Sequence, residues 1–420
     1  MTTAIIPEVL EKAQRARGAA ARLAELTRAE KDRILLAMAE ALEANTAAIL
    51  AANAVDVKNV QEKSGSAAPV DRLILNEKRM AGLSQALRDI AAFTDPVGEV
   101  ISGSRLANGL ELTKVRVPLG VIGFIYESRP NVTVDAVGLC LKSGNAVVLR
   151  GGSDAIHSNI VLAKILREAG AREGMPEGAA ELIESTDREI VGQLLSLNEY
   201  IDVIVPRGGH DLIRRARREA TVPILETGEG NCHVYVDAGA DLDMGERVTV
   251  NAKCNRPSVC NSAEKLLVHQ QIAAEFLPKV GKALQEAGVE LRACARSLPY
   301  IKGAIPATEE DWATEYLALI MGVKVVDSVE EAVAHINHYS THHSDSIITR
   351  DMAAMQYFTR RVDSAAVYVN ASTRFTDGGE FGLGAEIGIS NQKLHARGPM
   401  GLAELTSYKY VVVGQGHVRA

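Results

Sequence analysis

Cys260 sits in the run NRPSVCNSAE, residues 255 to 264, where Ser258, Asn261 and Ser262 surround the sulfur in place of the aliphatic neighbours usual for a core cysteine. Pro257 stops a helix from running through, and Arg256 lies four residues before the thiol. The thiolate is the form that attacks carbon, and nearby cations and free backbone amides bring a thiol pKa down from about 8.5. The stretch admits two readings: a catalytic nucleophile, or an ordinary half-buried free cysteine. The other four cysteines, at 140, 232, 254 and 294, show no Cys-x-x-Cys spacing with it or with one another. All five are therefore read as free thiols, with neither a disulfide framework nor a zinc site, and no metal is expected. Cys140, in the apolar run AVGLCLKSGN, reads as core.

A reactive thiol needs a scaffold, and 420 residues are enough for two to four domains, since single cores stop growing beyond about 250 to 300 residues. Hydrophobic residues make up 47% and charged residues 24%, which describes a globular chain and not a disordered one. A net charge of −7 opposes nucleic acid binding as the main task, because phosphate neutralisation needs a clustered cationic surface. Any anionic ligand must be met by local arginines. The first residues lack the pattern of a secretory signal, and no apolar run is long enough for a membrane span, so a soluble cytoplasmic protein is expected.

The first 95 residues are helical in pattern, with Thr27 and Glu30 at capping-box spacing before Ile34, Leu35, Met38 and Leu42 on one face. Asn108-Gly109 lies between two extended stretches and favours a two-residue type I′ hairpin, a plausible oligomer arm. VIGFIY (121–126), NAVVLR (145–150) and DVIVPR (202–207) read as buried parallel strands with helices between them, which argues for a doubly wound α/β domain. Two of them end in Arg150-Gly151-Gly152 and Arg207-Gly208-Gly209, at the carboxyl ends where open α/β sheets bind ligands. These loops read either as a cofactor site, with glycines admitting phosphate and arginines supplying donors, or simply as turns. The strict GxGxxG and P-loop patterns are absent. HVYVD (233–237), KLLVH (265–269), VKVV (323–326), SIITR (346–350) and AVYVN (366–370) are candidate strands of a second α/β region, and TSYKYVVV of a last strand.

In chain order, ESRPNVTVDA, LKSGNAVVLRGG, IVPRGG, NAKCNRPSVCN, VNASTRFTDGGEFGLGAEIG and LHARGPMGL resemble the gamma-glutamyl phosphate reductase family, a branch of the aldehyde dehydrogenase superfamily, over essentially the whole chain. The resemblance implies an aldehyde dehydrogenase-like α/β fold of two doubly wound domains plus a β-hairpin oligomerisation arm. Residues 1–105 and 118–228 would bind NADPH, with 385–404 returning to that domain. Residues 229–384 would form the catalytic domain, and 106–117 with 405–420 the arm of a homodimer or homotetramer.

By the same resemblance the nucleophile falls on Cys260, and Cys254 stays a structural thiol. The oxyanion-stabilising amide falls on Asn131, and one such donor is worth about 3 to 4 kcal/mol in the transition state. Arg150, Gly151, Gly152 and Ser153 match the place that holds the adenosine ribose, where an arginine suits a 2′-phosphate and favours NADPH over NADH. Arg207, Gly208 and Gly209 match the pyrophosphate loop, and Glu315 matches the glutamate on the nicotinamide ribose, although TEYLAL departs from the usual Phe-Gly-Pro pattern. Glu226, 34 residues before Cys260, stands where hydrolytic relatives keep a general base, in a segment that otherwise differs from theirs. Arg129, Arg256, Arg374 and Arg397 are candidates for the substrate's anionic groups, no more than two of them in that role.

The expected activity is reduction of L-glutamyl 5-phosphate to L-glutamate 5-semialdehyde with release of phosphate, through a Cys260 thioester, in proline synthesis, with hand-over from glutamate 5-kinase. The alternatives are a hydrolytic aldehyde dehydrogenase using Glu226, marked by steady acid production from aldehyde and water, and a catalytically silent nucleotide-binding oligomer.

Overall fold

The computed structural model describes residues 5–64, 70 and 72–419. Its chain divides into two compact units, one running to Glu226 and taking in Gly382–Gly388 and the chain from Met400 onward, the other Thr227–Phe381 with Ile389–Pro399.

Among the described residues the first unit opens on four helices, α1 (Pro7–Leu23), α2 (Arg28–Ala44), α3 (Thr46–Ser64) and α4 (Glu77–Ala92). The Thr27 side chain accepts from the Glu30 N–H and Glu30 returns the bond to the Thr27 N–H at 2.8 Å, so α2 starts at its capping box. Ile34, Leu35, Met38 and Leu42 are fully buried, as their shared face requires. Strands β1 (Val100–Arg105) and β2 (Glu111–Pro118) then form a hairpin. Its turn differs from the expected type I′. Leu106 N–H donates to the Leu110 carbonyl at 2.8 Å and Gly109 N–H to Leu106 at 2.9 Å, and Gly109 takes a left-handed φ of +88° while Asn108 does not. The loop is thus the three-residue kind, with glycine supplying the one positive φ.

The alternating part follows as β3 (Val121–Tyr126), α5 (Asn131–Lys142), β4 (Ala146–Gly151), α6 (Ile156–Arg172), β5 (Ala180–Leu182), α7 (Glu189–Leu195), β6 (Val203–Arg207) and α8 (His210–Glu219). The strands pair in parallel in the order β5-β4-β3-β6. Every residue of β3 and β4 is buried, which is why these strands read as unbroken apolar runs. In register, Tyr126 lies beside Gly151 of β4 and Arg207 of β6. The loops that follow β3, β4 and β6 therefore leave the sheet at one edge.

The second unit runs β7 (Cys232–Val236), α9 (Leu242–Cys254), β8 (Ala263–His269), α10 (Gln270–Glu286), β9 (Glu290–Ala293), β10 (Ile305–Pro306), α11 (Glu309–Ala313), β11 (Ile320–Val326), α12 (Val329–Tyr339), β12 (Ser344–Ile348), α13 (Met352–Arg361) and β13 (Ala366–Val369). Its sheet is parallel, in the order β10-β9-β11-β8-β7-β12-β13. Strand alternation gives it two cores. Val234, Val236, Leu266 and Val268 pack with Phe276, Leu277 and Val280 of α10, and Tyr235, Leu267 and Ile347 with Ile336 of α12 and Phe358 of α13. Helices on both faces make the sheet doubly wound. Glu264 and Lys265 of β8 are nonetheless buried, and Glu264 is held by Lys253 of α9 at 2.8 Å. The short antiparallel pair β14 (Ile389–Ser390) and β15 (Gly398–Pro399) completes this unit.

Back in the first unit, β16 (Thr406–Val413) pairs antiparallel with β2, giving a three-stranded sheet β1-β2-β16. Tyr408, Tyr410, Val412 and Val413 of β16 are about half exposed, an unusual amount of apolar surface for one strand.

Candidate active site

Cys260 lies half-buried in the connection from α9 to β8. Helix α9 starts at Asp241, whose side chain accepts from the Met244 N–H at 3.0 Å, and ends at Cys254, three residues before Pro257. Gly230 lets the cysteine loop pass. A Cβ there would stand 1.4 Å from the Cys260 carbonyl oxygen, and the Gly230 N–H donates to Glu315 Oε1 at 2.7 Å. The buried Cys232 thiol donates to the same Cys260 carbonyl at 3.2 Å.

Residues after β13 fasten the loop as well. The buried Asn261 donates to the Thr376 carbonyl at 2.8 Å, takes a hydrogen bond from Arg374 on its own side-chain oxygen, and has its carbonyl held by Thr373 Oγ1 at 2.7 Å. Gly230→Ala is expected to push this loop aside and cut turnover about 10²-fold, the usual effect of displacing a reacting atom by roughly 1 Å. Steady-state kinetics beside a thermal melt would check it, and an unchanged kcat would show that the carbonyl contact does not govern the sulfur.

The electrostatics around the loop separate its thiols. Burial first, then the negative charges of Asp345, Cys260 and Glu315, push the Cys232 thiol well up. Burial also raises Cys254, against the pull of Lys253. The Arg374 guanidinium is pressed below its ordinary value by desolvation and by the charge of Arg256, and is held up by Asp377, Cys260 and Cys232. Two arginines and the Cys260 sulfur thus share one electrostatic neighbourhood. Burial pushes the Glu315 carboxyl up to about 7, with the Gly230 N–H opposing and Glu229 and Glu264 adding to it.

In the first unit the two Arg-Gly-Gly loops follow β4 and β6, one on each side of the end of β3. Arg150 Nη2 donates to the carbonyls of Thr186 and Asp187 at 3.2 and 3.3 Å, while its buried Nε has no partner among the described residues. Burial lowers this guanidinium from its ordinary value, with Glu127 opposing. Gly151 is glycine because a Cβ would meet Asn159 Nδ2 at 2.1 Å, so packing against α6 decides it. Gly152 follows it, and Ser153 is exposed and opens a short 3-10 turn. Gly209 N–H, at the start of α8, donates to Glu127 Oε2 at 2.8 Å, and a Cβ on Gly208 would stand 2.6 Å from that oxygen. A carboxylate therefore already occupies part of the loop expected to take a pyrophosphate. Glu315 is placed with Gly230 in the second unit.

Asn131 opens α5 directly after Pro130, and its Nδ2 donates to Asp135 Oδ2 at 3.0 Å. Burial pushes Asp135 up to about 6, against the Asn131 amide and the Arg207 charge. Glu226 is buried and bound through Oε2 by the Arg217 guanidinium. Of the candidate arginines, Arg256 is exposed and Arg129 half-buried. Arg374 bonds Asn255 at 3.1 Å and Asn261, and Arg397 bonds the Asp363 carbonyl and carboxylate at 2.8 and 2.9 Å. The roles of Asp135, Asn261, Cys232 and Glu127 escaped the sequence reading. The first two were within reach of it, since Asp135 follows Asn131 by one helical turn and Asn261 adjoins the cysteine.

The model of the aldehyde dehydrogenase family matches residues 2–293. The chain is 58% identical to the gamma-glutamyl phosphate reductase of Moorella thermoacetica, covering 98% of this chain and 99% of that one. It is 56% identical to that of Heliobacterium modesticaldum, covering 99% and 100%. The crystal structure of the Thermotoga maritima gamma-glutamyl phosphate reductase superposes with a TM-score of 0.97 at 51% identity, covering 98% of this chain and 100% of that one. The fold is accordingly the aldehyde dehydrogenase-like α/β fold, and the chain belongs to the gamma-glutamyl phosphate reductase branch of the aldehyde dehydrogenase family.

Proposed function

We propose that this protein reduces L-glutamyl 5-phosphate to L-glutamate 5-semialdehyde with release of phosphate, using NADPH, in the cytoplasm. The observation that carries the proposal is the Cys260 loop: a half-buried sulfur outside any helix or strand, pinned by Gly230, Asn261 and Thr373, with Arg374 and Arg256 in its neighbourhood. The thiolate adds to the acyl carbon, forming the S–C bond while the carbonyl π electrons move to oxygen. The Asn131 amide is the donor we assign to that oxyanion. Its collapse breaks the C–O bond to phosphate, which leaves as a weak base and needs no strong acid, and a thioester remains on Cys260. The nicotinamide cofactor, when bound, would supply a hydride to the thioester carbon; breaking of the C–S bond then returns the thiolate to Cys260 and releases the aldehyde. Arg256 and Arg374 are the arginines we assign to the substrate's anionic groups. Arg397 Nη2 is committed to the carbonyl and carboxylate of Asp363.

The residues of the first unit fit the cofactor's charge. The orphaned Arg150 Nε is a buried donor of the kind a 2′-phosphate satisfies. Because Glu127 takes the Gly209 N–H, the second loop offers a pyrophosphate chiefly the Arg207 guanidinium and the N-terminal end of α8. Glu226 is assigned no base role here, since its carboxylate is held by Arg217 and a reductase must keep water from its thioester. The β1-β2-β16 sheet, with its exposed Tyr408, Tyr410 and valines, is the surface assigned to pairing of subunits. The lability of an acyl phosphate suits direct hand-over from glutamate 5-kinase.

Run in reverse with semialdehyde, phosphate and NADP+, the protein is expected to form reduced nicotinamide only when phosphate is present. Steady reduction without phosphate, accompanied by free acid, would mark a hydrolytic enzyme instead. Nucleotide binding without any turnover would mark a silent binding protein.

A further inference from the structure

The amide of Asn131 is useful to an oxyanion only through its nitrogen. Its oxygen has nearly the same shape and the opposite polarity, so an amide free to turn over would spend part of its time repelling the charge it should hold. Asn131 and Asp135 sit one turn apart on α5, where residues i and i+4 share a face, and Nδ2 donates to Asp135 Oδ2 at 3.0 Å. An ionised carboxylate has no proton to give, so it accepts from the amide nitrogen and rejects the amide oxygen. One Nδ2 hydrogen is thereby used and the other remains for a second acceptor. The charge of Arg207, at the end of β6, also acts on Asp135 and favours its ionised form against burial.

We propose that Asp135 is the positioning residue of this site: by accepting one Nδ2 hydrogen of Asn131 it fixes the amide's orientation and presents the remaining N–H to the substrate oxyanion. The proposal rests on the reading of Asn131 given above and adds a residue that never touches substrate. Asp135→Ala leaves the amide free to rotate, and kcat in the reverse assay falls roughly 10-fold or more, the scale of a misplaced catalytic group. The KM for NADP+ stays as it was. Asp135→Asn offers Asn131 a donor as well as an acceptor, so it holds the amide without choosing its orientation and recovers only part of the lost kcat.

The decisive comparison is a double-mutant cycle with Asn131→Ala, all four proteins being checked for folding by thermal melt. If Asp135 acts through Asn131, then Asn131→Ala with Asp135→Ala is no slower than Asn131→Ala alone. Losses that multiply, or full kcat in Asp135→Ala, overturn the proposal. Full activity in Asn131→Ala itself overturns the reading beneath it, and the two failures are thus told apart.

Discussion

Cys260→Ala is expected to lose turnover by a factor on the order of 10⁶, the scale on which a covalent nucleophile is missed, because no neighbouring group can replace its sulfur. Cys232, the thiol that reaches the Cys260 carbonyl, is fully buried and its pKa is pushed well up, so little thiolate is available from it. Cys254 ends α9 and packs against the core of the second sheet. Cys254→Ala should therefore stay active, and Cys260→Ala should still bind NADP+ with unchanged affinity, since the residues assigned to the nucleotide's phosphates lie after β4 and β6. Reverse-direction kinetics and nucleotide titration of the two variants make the comparison. A turning-over Cys260→Ala protein would falsify the assignment.

Asn131→Ala should lower kcat about 10² to 10³-fold, the cost of removing one preorganised oxyanion donor, with the KM for NADP+ little changed. Asn131→Asp should be worse still, because it sets a negative charge where negative charge develops and beside the Asp135 carboxyl. A loss confined to KM would place Asn131 in ground-state binding and remove it from the transition state.

The strands that hold these groups were legible wherever burial on both faces writes an unbroken apolar run. VIGFIY is β3 to the residue, whereas TSYKYVVV, exposed along most of its length, is β16 and was legible from its β-branched and aromatic residues instead. HVYVD, KLLVH and SIITR each differ from their strands by one or two residues at the ends, where chain propensity fades before pairing stops. Strands β5 and β9 were missed because three or four residues, in β9 with Glu290 and Arg292 among them, carry too little pattern and exist only through their parallel neighbours. Asn108-Gly109 marked a hairpin correctly and its turn type wrongly, since loop length is set by the Leu106 to Leu110 closure outside the dipeptide.

At the site, sequence could name the cysteine but not what holds it. The bonds of Asn261 to Thr373, Arg374 and Thr376 join segments more than a hundred residues apart, and nothing in either segment announces the other. The pairing of Arg397 with Asp363, 34 residues away, and of the Gly209 amide with Glu127, 82 residues away, carried no local signal either. Arginines look alike in a sequence. Their partners decide which remain for substrate.

The most direct measurement catches the acyl group on its sulfur. The protein is mixed with semialdehyde and NADP+ without phosphate, so that the thioester has no partner to release it, then quenched in acid, digested and weighed by mass spectrometry. The account predicts one glutamyl acyl group on the peptide that contains Cys260, removable by hydroxylamine. Reduced nicotinamide formed with that peptide unmodified throughout, or with the acyl group on another cysteine, would contradict it.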